Sequence, residues 1–298
     1  MSERVTPEHV TVYEVGARDG LQNEPGFVPT EIKVALIDLL SATGLTRIEA
    51  ASFVSPKWVP QMADAAEVMA GIRRAPGVRY AALTPNLKGF EAALVAGADE
   101  VAIFASASEG FSRHNINCSI AESLERFAPV AEAARAAGLP LRGYVSCIVE
   151  CPYDGPTAPE AVARVTEALL GMGAYEVSLG DTIGRGTPES IGRVLAHLTG
   201  AIDPARLAGH FHDTGGNALA NVEAALGHGL RTFDSAIGGL GGCPYAPGAR
   251  GNVSTVPMVR MLAAGGWETG LDLAALERAE AFMADRIAAA PKLARTAP

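Results

Sequence analysis

The chain reads as an α/β protein of the TIM-barrel type, a (β/α)8 barrel with extra C-terminal helices. Short apolar or β-branched runs alternate with helical stretches until eight strands are counted. Nearly half the residues are apolar (48%) but few are aromatic (6%), which suits helices packed closely on a parallel sheet. No GxGxxG follows the first strand, which removes the main reason to prefer a doubly wound dinucleotide fold.

Taken in order, the first strand is read at 9–15, and a helix at 30–43 closes at Gly44. A second strand at 46–51 leads to a helix at 60–73, and strands follow at 78–83 and 100–104. The helix at 120–137 stops at Gly138, before a strand at 139–145 and a helix at 159–172. After a strand at 175–179, Thr187-Pro188 opens a helix at 188–199 with a capping residue followed by proline. The seventh strand, 206–212, precedes a helix at 217–228 closed by Gly229, and the eighth runs over 232–237. Parallel strands joined by right-handed crossovers close most simply into a barrel, here over about 9–252 of a single catalytic domain spanning 1–298. Helices at about 253–290 cover the barrel bottom or serve a dimer contact.

The net charge is −9, and no Lys/Arg run or basic-aromatic stripe offers a nucleic-acid surface. No apolar run is long enough to span a bilayer, so no membrane partner is expected. Cys118, Cys147, Cys151 and Cys243 are few and scattered, which fits a reducing compartment, and the N-terminus has no apolar signal core. The expected location is the cytoplasm.

The most informative feature is Gly209-His210-Phe211-His212-Asp213. Residues two apart in a strand lie on one face, roughly 7 Å apart at Cα, so both imidazoles can turn toward one cation. Active sites of such barrels are built from the loops after the strands, and polar residues concentrate there. Arg18-Asp19-Gly20 follows the first strand, Glu49 and Ser52 end the second, and Asp181 and Thr182 follow the sixth. A run of glycines from Gly238 to Gly242 then leads to Cys243 and Asn252. A carboxylate, two imidazoles and an amide oxygen suit a catalytic Mg²⁺, Mn²⁺ or similar ion better than a closed structural zinc.

The segments Glu14-Val15-Gly16-Ala17-Arg18-Asp19-Gly20-Leu21-Gln22-Asn23-Glu24, Ser52-Phe53-Val54-Ser55-Pro56-Lys57-Trp58 and Ser178-Leu179-Gly180-Asp181-Thr182 carry a family resemblance. With the cysteine loop Gly241-Gly242-Cys243-Pro244-Tyr245 and its continuation to Asn252, the chain resembles the 3-hydroxy-3-methylglutaryl-CoA lyase family over nearly its whole length. The RDG turn and HxHD strand alone indicate the wider superfamily of metal-dependent barrels that also contains isopropylmalate-type synthases. The cysteine loop is the more specific signal.

The resemblance implies that Asp19, His210, His212 and Asn252 bind a divalent cation, Mg²⁺ or Mn²⁺. It places Arg18, Asp19, Glu49, Asp181, His210 and Cys243 in the catalytic shell, with Arg18, Gln22 and Ser52 toward the substrate. The implied reaction cleaves 3-hydroxy-3-methylglutaryl-CoA to acetyl-CoA and acetoacetate, so the partner is an acyl-CoA thioester, and the implied assembly is a homodimer. Two alternatives accompany it: the same chemistry on a longer-branched 3-hydroxyacyl-CoA, or condensation of acetyl-CoA with a 2-oxoacid. Gly215 stands where the family commonly has Tyr, and is read as enlarging the space near the metal strand. Glu150 stands where Gly often precedes Cys-Pro-Tyr.

Overall fold

The computed structural model describes residues 8–24, 26–241 and 251–289. Eight parallel strands close into a barrel: β1 (Thr11–Glu14), β2 (Arg47–Ser52), β3 (Arg79–Leu83), β4 (Glu100–Ser106), β5 (Leu141–Ser146), β6 (Glu176–Asp181), β7 (Leu207–Phe211) and β8 (Thr232–Ser235). Closure comes from β1, which pairs with β8 from Thr11↔Thr232 to Glu14↔Ser235 and with β2 at Glu14↔Ile48. Strands packed on both faces are buried almost throughout, which is why they read as apolar runs in place of an alternating pattern.

Around the barrel lie α1 (Thr30–Ser41), α2 (Ala65–Gly71), α3 (Leu87–Val95), α4 (Glu109–Ile116), α5 (Ile120–Ala137), α6 (Pro159–Gly171), α7 (Pro188–Thr199), α8 (Ala218–Gly227), α9 (Thr255–Ala264) and α10 (Leu273–Ala289). Ser119 and Thr187 close capping boxes at the starts of α5 and α7, and Gly138 ends α5 in the left-handed region at φ 68°. Four elements depart from the expectations. The helix read at 60–73 is a 3₁₀ turn, Pro60–Met62, followed by the shorter α2. The short helices α3 and α4 and an antiparallel hairpin pairing Glu150–Cys151 with Gly155–Pro156 were not anticipated.

The C-terminal helices do not lie across the barrel bottom. Their linker runs past the start of the barrel, where the Val10 N–H bonds the Glu268 carbonyl and the Asp272 N–H bonds the Thr43 carbonyl. From there α10 rises between α1 and α9, completing the ring where an eighth helix belongs. Among the described residues no helix is long and apolar enough to cross a membrane.

The barrel interior is unusually charged. Arg142 on β5 reaches Asp234 on β8 past two intervening strands, at 2.7 Å, so both side chains lie inside the barrel. Arg142 also bonds Glu176 at 2.9 Å and sits 4.0 Å from the centroid of the Tyr13 ring. Pairing on this scale is what a fully buried guanidinium requires.

Candidate active site

Asp19 is carried on a five-residue π-helical turn, Gly16–Gly20, that leaves β1 directly. Glu14, the last residue of that strand, holds the turn: its Oε1 accepts from the backbone N–H of Gly16 (2.9 Å) and of Ile237 (2.8 Å), and its Oε2 from Thr255 Oγ1 (2.6 Å). One buried carboxylate thereby ties together the end of β1, the segment after β8 and the start of α9. Burial pushes its pKa up to about 7 against those three bonds.

The turn faces the end of β7. His210 is the fourth residue of that strand, whereas His212 lies one residue past its end and is held by an antiparallel bridge to Asn252. The two imidazoles nevertheless meet, Nε2 to Nε2 at 3.3 Å, and His210 Nε2 stands 3.9 Å from Asp19 Oδ2. One ligand atom from each of Asp19, His210 and His212 lies within 4.8 Å of the others. Asn252 completes the arrangement, donating from Nδ2 to Asp19 Oδ2 at 2.8 Å, while its Oδ1 is buried without a hydrogen-bond partner.

Close backbone approach makes this possible. At Gly20 an added Cβ would lie 2.8 Å from the Leu240 Cβ, so only glycine lets the β1 turn meet the segment that brings Asn252 in.

The electrostatics suit a cation. Burial lowers the His212 pKa to about 4, helped by neighbouring His210, so its imidazole is neutral near pH 7. Burial would raise the Asp19 carboxyl, but Arg18, then His210 and His212, hold it below the usual carboxylate range. His210 is pulled down by burial, yet its bond to Asp234 and the charges of Asp234 and Asp19 leave it above the ordinary histidine value. Two imidazole nitrogens beside an anionic carboxylate, with an unused amide oxygen, are a donor set that a divalent cation satisfies.

Arg18, also on the π-helical turn, is buried. Its Nη2 pairs with Glu49 Oε2 at 2.5 Å, its Nε donates to the same oxygen, and its Nη1 reaches Asp19 Oδ1 at 2.9 Å. Glu49 Oε1 and Ser52 Oγ, both from β2, are buried without partners. Gln22 donates to Asp19 Oδ1 at 3.0 Å. Asp181, at the end of β6, accepts from the backbone N–H of Gly186 (2.8 Å) and Arg185 (3.2 Å); burial pushes its pKa up to about 6.

The structure thus brings Arg18, Asp19, Gln22, Glu49, His210, His212 and Asn252 into one contiguous cluster. Asp181 lies near enough for His210 to act on its charge. Cys243 falls outside the described residues. Gly215 lies in a close contact between the loops after β6 and β7: a Cβ there would stand 2.8 Å from the Gly184 carbonyl oxygen. Glu150 pairs with Arg185 at 2.5 Å at the protein surface. Glu14, Arg142, Ser178 and Asp234 were missed, though charged residues inside otherwise apolar parallel strands were a usable signal.

A family model described as HMGL-like matches residues 9–283. The chain belongs to the HMGL-like family. Among similar proteins, the crystal structure of the HMG-CoA lyase from Brucella melitensis shares 62% identity and a TM-score of 0.92, covering 93% of this chain and 98% of that one. A mitochondrial hydroxymethylglutaryl-CoA lyase of Bos taurus is 57% identical over 93% of this chain and 85% of its own length. A Pseudomonas aeruginosa protein named 3-hydroxy-3-isohexenylglutaryl-CoA/hydroxy-methylglutaryl-CoA lyase is also 57% identical, over 91% of this chain and 90% of its own. The HMGL-like match therefore takes in the whole barrel and most of α10.

Proposed function

We propose that this protein is a hydroxymethylglutaryl-CoA lyase, cleaving 3-hydroxy-3-methylglutaryl-CoA to acetyl-CoA and acetoacetate. The observation that carries the reading is the convergence of Asp19, His210, His212 and Asn252 in a chain so similar to proteins of that name. Those four residues would hold a divalent cation, Mg²⁺ or Mn²⁺, which when bound supplies Lewis acidity that lowers a hydroxyl pKa.

Cleavage between C2 and C3 removes the C3 hydroxyl proton, turns C3 into the ketone of acetoacetate, and leaves the bond pair on C2 as a thioester enolate. Arg18 is fixed by Glu49 before substrate arrives, so its guanidinium meets charge developing on the thioester oxygen without reorganising. The pKa of Asp181, near 6, suits it to accept the hydroxyl proton near neutrality. Asp19, held acidic by its neighbours, serves as a ligand. Cys243 is our candidate for returning a proton to C2, as a thiol acid. Ser52 and Gln22 complete the substrate side, and the assembly is a cytoplasmic homodimer.

Purified protein incubated with 3-hydroxy-3-methylglutaryl-CoA and either metal releases acetyl-CoA and acetoacetate in equal amounts; no release with either ion rejects the reading. A second reading keeps the chemistry on longer-branched substrates, and the name of the Pseudomonas relative favours it. Specificity constants for short and branched 3-hydroxyglutaryl-CoA substrates, measured side by side, separate the two.

A further inference from the structure

We propose that Asp234 is a positioning residue that sets which nitrogen of His210 faces the cation site. The inference rests on the reading of His210 as a metal ligand. Asp234 stands directly across from His210 in the pairing of β8 with β7, and both side chains turn into the barrel.

The carboxylate of Asp234 is saturated with donors. Oδ1 accepts from Arg142 Nη2 at 2.7 Å; Oδ2 accepts from Ser178 Oγ at 2.7 Å and from Arg142 Nη1 at 3.1 Å. His210 Nδ1 makes the fourth contact, to Oδ2 at 3.0 Å. A carboxylate paired with a fully buried guanidinium is anionic and has no proton to give, so the proton in this contact belongs to His210 Nδ1. A neutral imidazole carries one N–H only, which leaves Nε2 bare and aimed at His212 and Asp19.

Arg142 is what keeps the arrangement in place. Clamped between Asp234 and Glu176, and stacked on Tyr13, it cannot leave without exposing two buried carboxylates. Ser178 adds a donor from the strand between Arg142 and His210, so three successive strands, β5, β6 and β7, each address the same carboxylate on β8. Carboxylates behind metal-binding histidines orient the ring and raise its basicity, and losing one typically weakens metal binding about 10- to 100-fold.

The test uses metal-free full-length protein with ¹⁵N-labelled histidine, the His210 signals being assigned by their loss in His210→Gln. At alkaline pH the wild type should show His210 with its proton on Nδ1; a proton on Nε2 overturns the proposal whatever the variants do. Mn²⁺ binding alone, followed by electron paramagnetic resonance, should weaken about 10- to 100-fold in folded Asp234→Asn. Glu176→Gln, equally buried against Arg142 but not touching His210, should stay within about twofold of wild type, as expected of a change that spares the contact. Folded Asp234→Asn with unchanged affinity would overturn the proposal, and so would an equal loss in Glu176→Gln, which would assign the effect to interior packing rather than to this contact. Should Asp234→Asn fail to fold, the wild-type proton position decides. His210→Gln separates the two readings: undiminished Mn²⁺ affinity there overturns His210 as a ligand, and with it the inference for metal binding.

Discussion

Arg18 shows how one buried side chain is committed in advance to a single role. Its guanidinium is held by Glu49 and Asp19, so it is already placed when enolate charge develops. Replacing it with Gln should lower kcat about 100- to 1,000-fold with little change in KM, the pattern of an interaction realised in the transition state. Steady-state kinetics check this; a raised KM at unchanged kcat would make Arg18 a ground-state binding residue. Glu14 carries a pH signature. Its folded pKa, about 7, lies above the ordinary 4.5, so the stability it contributes is fully present below about pH 4.5 and is lost as pH rises through 7. Glu14→Gln should therefore be less sensitive to pH than wild type, gaining roughly 2–3 kcal/mol relative to it between pH 5 and pH 8, as read by urea unfolding of the metal-free protein. Arg18, Asp19 and the two histidines were legible because they follow strand ends in recognisable runs. Glu14 and Asp234 showed only as charges inside apolar strands, because their roles come from partners far away in the chain, Thr255 at the start of α9 and Arg142 on β5.

Two adjoining elements decide the geometry of the cluster. The π-helical turn after β1 carries Arg18 and Asp19, and the segment after β8 carries Asn252 by bridging to His212. They touch where Gly20 faces Leu240. A Gly20→Ala substitution should push them apart and weaken Mn²⁺ binding by about tenfold or more, an overpacking cost of the order of 1–3 kcal/mol. Titration of the folded variant checks the outcome, and unchanged affinity would show that the two elements yield independently. The strand order was readable since eight apolar runs recur with capped helices between them. The turn itself was not, because Gly16-Ala17-Arg18-Asp19-Gly20 carries no periodicity that separates a wide helical turn from a loop. The shortness of α3 and α4, and the polar composition of α4, hid them likewise.

Across the whole barrel, the charged interior joins structure to chemistry. Arg142 pairs with Asp234 and Glu176 in the barrel's middle, and Asp234 passes that organisation to His210 above it. Arg142→Leu strips Asp234 of its guanidinium and leaves Glu176 only Arg47, at 3.6 Å, and should destabilise the protein by about 3–5 kcal/mol in urea unfolding. A loss below about 1 kcal/mol would place the pair among dispensable ion pairs. Composition and alternation were enough to foresee the barrel and the extra helices. The course of α9 and α10 depends on contacts with α1 and the start of β1 that no local pattern encodes. If both imidazoles and the Asp19 carboxylate hold one catalytic ion, pulsed electron paramagnetic resonance of the Mn²⁺-loaded protein will show couplings from two histidine nitrogens, falling to one in His212→Gln. An active, Mn²⁺-loaded protein without any histidine coupling would contradict that shared ligation.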